Sequence, residues 1–246
     1  MIRHLLLDIE GTTCPVSFVS DVLFPYATSN LVRFIEEHAH HKACKDIWFR
    51  AWDEWTQDKD PDSQQLLLAA NTPTPTNPST ITAYFKYLMA VDRKSTALKD
   101  LQGMIWKNGY DKGELKAELY PETTQCLRRW HDVGLVLSTY SSGSIAAQKL
   151  LYANTNSGDL RALFSHWFDT HTGPKKEAKS YQLIAQSISE SPKSITFVSD
   201  NQDECNAAEQ AGLQTLFSLR AGNPDQNPGH HRPITSLDQV MGALNS

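Results

Sequence analysis

The sequence contains no long apolar run and no excess of positive charge. A membrane-spanning helix needs roughly 18 to 20 consecutive apolar residues, and no stretch of the 246 residues approaches that length. The apolar run at 5–7 ends at Asp8, so it is too short for the core of a signal peptide. A formal net charge of −5 gives no general attraction for nucleic-acid phosphates. We therefore expect no membrane and no nucleic acid among the partners.

Cysteine is also scarce and scattered. The four cysteines form neither a CxxC pair nor the ligand spacing of a zinc site. This usage is typical of reduced thiols in a cytoplasmic protein, so we predict a cytoplasmic location. Hydrophobic residues make up 40% of the chain and charged residues 21%, which is an ordinary globular mixture. The length allows one large domain, or a core with a smaller unit.

Short apolar segments alternate with helical segments over much of the chain. The segment at 2–7 lacks polar alternation, as expected for a strand buried on both faces. Further strand-like segments lie at 135–140, 166–168, 194–199 and 213–219. Helical segments separate them, at 122–132, 144–152, 176–188 and 203–211. Strands and helices in this order predict an α/β fold with a parallel sheet.

Residues 20–115 interrupt this pattern after the first strand. Apolar residues recur there at spacings of three and four, for example Leu23, Ala27 and Leu31, which is typical of amphipathic helices. A segment rich in proline and threonine at 71–80 predicts an irregular exposed loop. We therefore predict an α/β core formed by residues 1–18 and 117–246, with an all-helical insert at 19–116.

Polar residues follow the predicted strands at their carboxyl ends, the edge at which open parallel sheets bind ligands. Acidic residues, serines and lysine predominate there, which indicates a site for a metal ion and a phosphate group. The residues with this placement are Asp8, Glu10, Ser141, Ser142, Lys175, Asp200, Asp203 and Glu204.

Each residue type has a task in phosphate chemistry. Carboxylate oxygens from Asp8 and Asp200 suit Mg²⁺, which removes the repulsion between an attacking carboxylate and a phosphate. Glu10, two residues beyond Asp8, could act first as an acid and then as a base. Ser141 could hold phosphate oxygens, and Lys175 offers positive charge as negative charge builds up.

Taken singly, each of these residues also has an ordinary structural interpretation. Asp8 could be a turn residue, and Ser141 could begin the next helix. Residues 200–204 could be the acidic first turn of a helix. At least one of Lys175 and Lys176 is expected to be solvated. Only the order of the residues and their shared edge make the combination informative.

The order resembles the four motifs of the haloacid-dehalogenase-like (HAD) hydrolases. The first motif of that family is Asp-x-Asp followed by threonine, and here it reads Asp8-Ile9-Glu10-Gly11-Thr12. Glu10 is a departure, because most phosphatases of the family have aspartate there. The other motifs are matched by Ser141, by Lys175, and by Asp200 with Glu204. The resemblance implies a Rossmann-like parallel sheet core of the HAD-like type.

With glutamate at position 10, the sequence resembles the enolase-phosphatases of methionine salvage, which are also called acireductone synthases. The similarity runs over nearly the whole chain. Two segments depart from that family's pattern, namely Ala221, where proline is expected, and the loop at 71–80. The matching strings are LDIEGTT at 7–13, DRK at 92–94, TALK at 96–99, YSSGS at 140–144, AQKLL at 147–151 and FDT at 168–170.

The resemblance implies a phosphoric monoester hydrolase with two activities. The enzyme would enolise 5-(methylthio)-2,3-dioxopentyl phosphate and then remove its phosphate, giving the acireductone 1,2-dihydroxy-5-(methylthio)pent-1-en-3-one. Asp8 would be the nucleophile, with Glu10 and Lys175 as further catalytic residues. Substrate would be bound by Ser141, Ser142 and Lys175. One Mg²⁺ per subunit would be held by Asp8, by Asp200 and by the backbone oxygen of Glu10, with Glu204 supporting them.

The helical insert corresponds to the cap domain of many HAD-like hydrolases. A cap excludes water from the site and could offer apolar contacts to the methylthio tail. Four tryptophans are candidates for that contact, although packing among the helices is the alternative for each. They are Trp48, Trp52, Trp55 and Trp106.

Two other functions use the same sequence features. A general HAD phosphatase acting on a small sugar phosphate or on phosphoglycolate would need the same core residues. A non-catalytic binding protein is the second alternative, and the intact set of Asp8, Glu10, Lys175 and Asp200 argues against it. In each enzymatic case the expected partner is a small-molecule phosphate ester. The family resemblance favours a monomer.

Overall fold

The computed structural model describes residues 2–70 and 78–244. Contacts divide the chain into two compact units. One unit consists of Met1–Val19 together with Lys116–Ser246, and the other of Ser20–Leu115. Among the described residues, no helix combines the length and the apolar character needed to span a membrane.

A six-stranded sheet organises the first unit, and every neighbouring pair of its strands is parallel. The strands are β1 (His4–Leu7), β2 (Val136–Tyr140), β3 (His166–Phe168), β4 (Ile195–Ser199), β5 (Gln214–Ser218) and β6 (Arg232–Ile234). Their order is β3-β2-β1-β4-β5-β6, so β1 lies inside the sheet between β2 and β4. All four residues of β1 are buried, which explains why three leucines follow His4 without polar alternation. The predicted α/β parallel sheet is confirmed.

Strand β6 was not predicted. It has only three residues, one of them Pro233, and shows no alternating pattern. A proline cannot donate to a neighbouring strand and is therefore confined to sheet edges. Strand β6 occupies such an edge, where it pairs with β5 alone.

Among its described residues, the second unit has five α-helices. They are α1 (Phe24–His38), α2 (Lys42–Gln57), α3 (Pro61–Ala70), α4 (Pro78–Ala90) and α5 (Thr96–Asp111), and a π-helical segment, Phe18–Leu23, precedes α1. Their buried faces form one apolar cluster, in which the rings of Trp55 and Tyr84 stack 4.8 Å apart. Trp48 is buried in the same cluster, and Trp52 and Trp106 pack against it. Helix packing therefore accounts for Trp48 and Trp55, whereas Trp52 and Trp106 are only partly buried.

Two helix starts in this unit differ from the predictions. Positions 71–77 of the predicted irregular loop lie outside the described residues, but positions 78–80 begin α4. A proline is tolerated there because the first residue of a helix has no intrahelical use for its N–H. Helix α3, which was not predicted, also begins with a proline. The Asp60 carboxylate caps it by accepting hydrogen bonds from the backbone N–H groups of Asp62 and Ser63.

The sheet unit contributes the remaining helices, α6 (Thr123–Asp132), α7 (Ile145–Ala153), α8 (Ala178–Ser187), α9 (Gln202–Gln210) and α10 (Val240–Leu244). Aromatic and aliphatic side chains from the sheet and from α8 and α9 form its apolar core. The Tyr181 ring of α8, for example, packs edge-on against Tyr140 of β2 and against Phe197 of β4. This core fixes the carboxyl ends of β1, β2 and β4 at one edge of the sheet.

Candidate active site

The strand register brings Asp8, Ser141 and Asp200 to one edge of the sheet. Leu7, the last residue of β1, lies opposite Thr139 of β2 and Val198 of β4. Asp8 follows directly and donates its backbone N–H to the carbonyl oxygen of Val198 at 2.9 Å. The residues that follow β2 and β4, Ser141 and Asp200, therefore stand on either side of Asp8 at the edge where parallel sheets bind ligands.

Lys175 joins the acidic residues at this edge. Its Nζ lies 2.8 Å from Oδ1 of Asp8 and 2.7 Å from Oε2 of Glu204, and its side chain is only 9% exposed. Burial alone would lower the pKa of Lys175, but the charges of Asp8 and Glu204 outweigh that effect and raise it. Lys175 is therefore a permanently charged, fixed cation in contact with Asp8. Its backbone carbonyl is held by the Tyr181 hydroxyl at 2.7 Å.

Repulsion among the carboxylates is strong despite this lysine. Burial, followed by the charges of Asp8 and Glu204, raises the pKa of Asp200 to about 7. Burial and the charge of Asp8 raise the pKa of Glu10 to about 6. The pKa of Glu204 is raised as well, because of burial and the charge of Asp8. The cluster thus contains one lysine and four acidic side chains, those of Asp8, Glu10, Asp200 and Glu204. Its negative charge is only partly neutralised, so a further cation would stabilise it.

Gly11 allows the loop after Asp8 to approach Asp200 closely. Its φ is +67°, in the left-handed region that favours glycine, and a Cβ at this position would collide with the carboxylate of Asp200. Its carbonyl oxygen accepts hydrogen bonds from Ser218 Oγ at 2.7 Å and from Asn223 Nδ2 at 2.9 Å. Distant residues of the chain thus hold the loop after Asp8 against Asp200.

Ser141 and Ser142 lie in the loop between β2 and α7. Ser141 is buried, donates its N–H to the carbonyl of Phe168 at 3.2 Å and accepts a hydrogen bond on Oγ from the N–H of Gly143 at 3.2 Å. Ser142 is exposed. Ser141 therefore helps to fix the conformation of the loop, whereas Ser142 is exposed to solvent.

Two charged neighbours do not belong to the cluster. Lys176 and Asp203 are exposed and pair with each other at 2.8 Å. Lys175 is thus the buried lysine of the adjacent pair and Lys176 the solvated one, and Asp203 acts as a surface residue at the start of α9.

Ser199, which was not predicted, links the acidic residues. Its Oγ lies 3.1 Å from Oδ2 of Asp8 and 2.9 Å from Oε2 of Glu204. It also accepts a hydrogen bond from the N–H of Asn201 at 3.2 Å. Its position at the end of β4, directly before Asp200, was the feature of the sequence that could have indicated a place in the site. A serine in an apolar strand is, however, also common without such a role.

Known proteins are similar to this chain in sequence and in fold. A family model described as haloacid dehalogenase-like hydrolase matches residues 2–212. An enolase-phosphatase E1 from Parasynechococcus marenigrum (strain WH8102) is 58% identical over 97% of this chain and 98% of its own length. An enolase-phosphatase E1 from Synechococcus sp. (strain CC9605) is 54% identical over 98% of this chain and 97% of its own length.

Among solved structures, the UTR4 protein of Saccharomyces cerevisiae is similar over 96% of this chain and 98% of its own, with 31% sequence identity and a TM-score of 0.71. Sequence similarity and fold similarity thus both extend over nearly the full length. The chain belongs to the haloacid dehalogenase-like hydrolases and, within them, to the enolase-phosphatase E1 family.

Proposed function

We propose that the protein is a bifunctional enolase-phosphatase of methionine salvage. It enolises 5-(methylthio)-2,3-dioxopentyl phosphate and then releases phosphate, leaving the acireductone 1,2-dihydroxy-5-(methylthio)pent-1-en-3-one. The observation that carries the proposal is the pairing of a buried carboxylate, Asp8, with a buried lysine, Lys175, at the carboxyl edge of the sheet. Membership of the enolase-phosphatase E1 family supports the choice of substrate.

A magnesium ion is part of this proposal. The side chains of Asp8 and Asp200, with the backbone oxygen of Glu10, form a donor set of oxygen atoms only, which suits Mg²⁺. The raised pKa values of Asp200 and Glu10 support a cation here, because repulsion between carboxylates is their second cause after burial. When bound, the ion supplies positive charge that offsets the repulsion between a carboxylate and a phosphate.

Asp8 is the proposed nucleophile. One of its oxygens attacks phosphorus, the bond from phosphorus to the substrate oxygen breaks, and a phosphorylated Asp8 results. Lys175 and Ser199 hold the Asp8 carboxylate in place through contacts of 2.8 and 3.1 Å. The fixed charge of Lys175 also offsets the negative charge that spreads over the transferred group.

Glu10 is the proposed acid and base. Burial and the charge of Asp8 raise the pKa of Glu10 in the metal-free protein, and a raised pKa favours the protonated state that a general acid needs. Glu10 first gives a proton to the leaving oxygen. It then takes a proton from the water that hydrolyses the phosphorylated Asp8, which regenerates both residues.

Ser141, Ser142 and Lys175 are the proposed substrate ligands. The exposed Ser142 lies beside the buried Ser141 in the loop after β2. Hydroxyl and backbone N–H groups of such a loop bind phosphate oxygens that do not react. Residues 19–116 remain the predicted cap, and a monomeric state and a cytoplasmic location also remain predictions.

Ultraviolet detection of the enol, run alongside phosphate release, tests the proposed function. On the diketone phosphate with Mg²⁺, we expect the enol signal to precede or accompany phosphate release. A panel of simple phosphate esters serves as the control, and we expect lower turnover on it. Equal or higher turnover on the simple esters without any enol signal would favour a general phosphatase instead. No phosphate release from any ester would favour a binding protein.

A further inference from the structure

The buried side chain of Gln148 holds the loop that carries Ser141 and Ser142. Gln148 lies on α7 and is 2% exposed. Its Oε1 accepts a hydrogen bond from Thr139 Oγ1 at 2.6 Å. Its Nε2 donates to the carbonyl oxygens of Gly143 and Phe168, each at 2.8 Å. The carboxamide thus contacts β2, the loop itself and the end of β3.

Both kinds of group in the carboxamide are needed for this set of contacts. A glutamine offers two N–H donors and an acceptor oxygen, and all of them are in use here. A glutamate of the same length would have no donor for the two carbonyl oxygens. The position therefore requires the chemistry of an amide rather than merely a side chain of that size.

The contact with Phe168 connects Gln148 to Ser141. The carbonyl oxygen of Phe168 accepts from Gln148 Nε2 at 2.8 Å and also from the N–H of Ser141 at 3.2 Å. On the other side of the loop, Gln148 holds the carbonyl of Gly143, whose N–H donates to Ser141 Oγ. The backbone N–H and the hydroxyl oxygen of Ser141 are thus each one hydrogen bond away from a group that Gln148 fixes.

Other contacts near the loop hold the helix rather than the loop. Asp169 accepts a hydrogen bond from the N–H of Ile145 at 3.1 Å, and Ser144 caps α7 through the N–H of Ala147 at 3.2 Å. Both contacts satisfy the first turn of α7. Among the described residues, Gln148 is the side chain whose hydrogen bonds span the loop from the strand before it to the strand beside it.

We propose that Gln148 is a positioning residue that fixes residues 141–144 in the conformation that binds the phosphoryl group. The inference rests on the proposed function in one respect, namely that Ser141 and Ser142 bind the phosphate of the substrate. A loop that is already ordered loses little conformational entropy when the ligand binds. Loss of the carboxamide therefore weakens phosphate binding, although Gln148 itself does not touch the ligand.

Three variants of the magnesium-loaded enzyme test this inference. Gln148→Met keeps the length of the side chain and removes all three hydrogen bonds, and Thr139→Val removes one of them. Leu151→Ala is the matched control, because Leu151 is buried on the same helix but its side chain has no group that could hydrogen-bond to the loop. The measurements are the KM and kcat for a phosphate monoester, the inhibition constant of inorganic phosphate, and the Tm.

We expect Gln148→Met to raise both KM and the inhibition constant of phosphate about tenfold, with a much smaller change in kcat. Thr139→Val should raise both in the same direction by about threefold, because one anchor is lost instead of three. Leu151→Ala should lower the Tm and leave both constants close to wild type. This split separates positioning from a general loss of stability.

The inference is overturned if Gln148→Met and Thr139→Val weaken phosphate binding no more than Leu151→Ala does. If Gln148→Met does not fold, the comparison of Thr139→Val with Leu151→Ala decides the question. Inorganic phosphate serves as the probe because its binding does not depend on enolisation. A wild-type enzyme that binds phosphate but forms no enol would refute the proposed substrate and leave the role of Gln148 intact.

Discussion

Replacing Asp200 by asparagine should stabilise the metal-free protein while it removes catalytic activity. Burial, together with the charges of Asp8 and Glu204, raises the pKa of Asp200 from 3.8 to about 7. Between these two pH values the folded protein binds a proton that the unfolded chain has already released. The folded state is therefore favoured at low pH and loses this advantage as the pH rises.

The size of the effect follows from the shift in pKa. A shift of about three units at about 1.4 kcal/mol per unit gives a ceiling of about 4 kcal/mol above pH 7. Most of this cost accumulates between about pH 4 and pH 7, and below pH 4 it vanishes because both states are protonated. Asparagine carries no charge, so the variant avoids the cost at every pH. For a chain of this size, each kcal/mol corresponds to roughly 2 to 4 °C in Tm.

Thermal unfolding in EDTA, followed from pH 4 to pH 8, measures this difference. We expect the Tm of Asp200→Asn to exceed that of the wild type at pH 8 and to approach it near pH 4. Added Mg²⁺ should raise the Tm of the wild type much more than that of the variant, because a ligand that binds the folded state stabilises it. Phosphate release by the variant should be lost even at saturating Mg²⁺.

A variant that is no more stable than the wild type at pH 8 in EDTA would refute this reasoning. So would an advantage that grows as the pH falls, because the sign of the linkage would then be wrong. Asp203→Asn is the matched control. Asp203 lies three residues further along but is exposed and paired with Lys176. Its replacement should leave the Tm nearly unchanged, since exposed ion pairs contribute little.

Three further perturbations address the remaining parts of the site. Asp8→Asn should lower the rate of phosphate release by at least about 10⁴-fold, because the nucleophile is lost. Its circular dichroism spectrum should remain that of the wild type. Wild-type rates in this variant would show that the site is misplaced. EDTA should abolish phosphate release and Mg²⁺ should restore it, whereas activity that survives exhaustive chelation would contradict the proposed cofactor. Lys175→Met should lower kcat by about 10² to 10³-fold, because the buried charge beside Asp8 is lost. Lys176 is the exposed neighbour of Lys175, so the kcat of Lys176→Met should stay within about twofold of wild type. Similar losses of kcat in both variants would contradict the role assigned to Lys175.

The fold was predictable where the sequence pattern is local and long. Strand β1 contains three consecutive leucines and is followed directly by Asp8, and the alternation of strands and helices that comes after it indicates a parallel sheet. Strand β6 and helix α3 were not predicted, and both failures have one cause. Each begins or continues through a proline, Pro233 and Pro61, whose tolerance depends on its position in the fold rather than on the sequence pattern.

The site could be predicted only in its acidic, serine and lysine residues. The order of strands brings residues after different strands to one edge, so Asp8, Lys175 and Asp200 could be expected together. The contacts that hold Gly11 could not be predicted, because Ser218 and Asn223 lie more than 200 residues further along the chain and bind the backbone oxygen of Gly11. Such contacts leave no spacing or pattern in the sequence. The chemical roles of the site residues remain predictions that the experiments above test.

The central place of β1 has a consequence for how the chain is made. Residues 4–7 leave the ribosome well before their partners in the sheet, Val136–Tyr140 and Ile195–Ser199. At about 5 to 20 residues per second, the second partner emerges many seconds later, and until then three consecutive leucines lack their permanent neighbours. The helical unit, whose contacts are local, can complete its own core during that interval. The helical unit can therefore fold before the sheet is complete, and the three leucines of β1 need protection from aggregation until β4 has emerged.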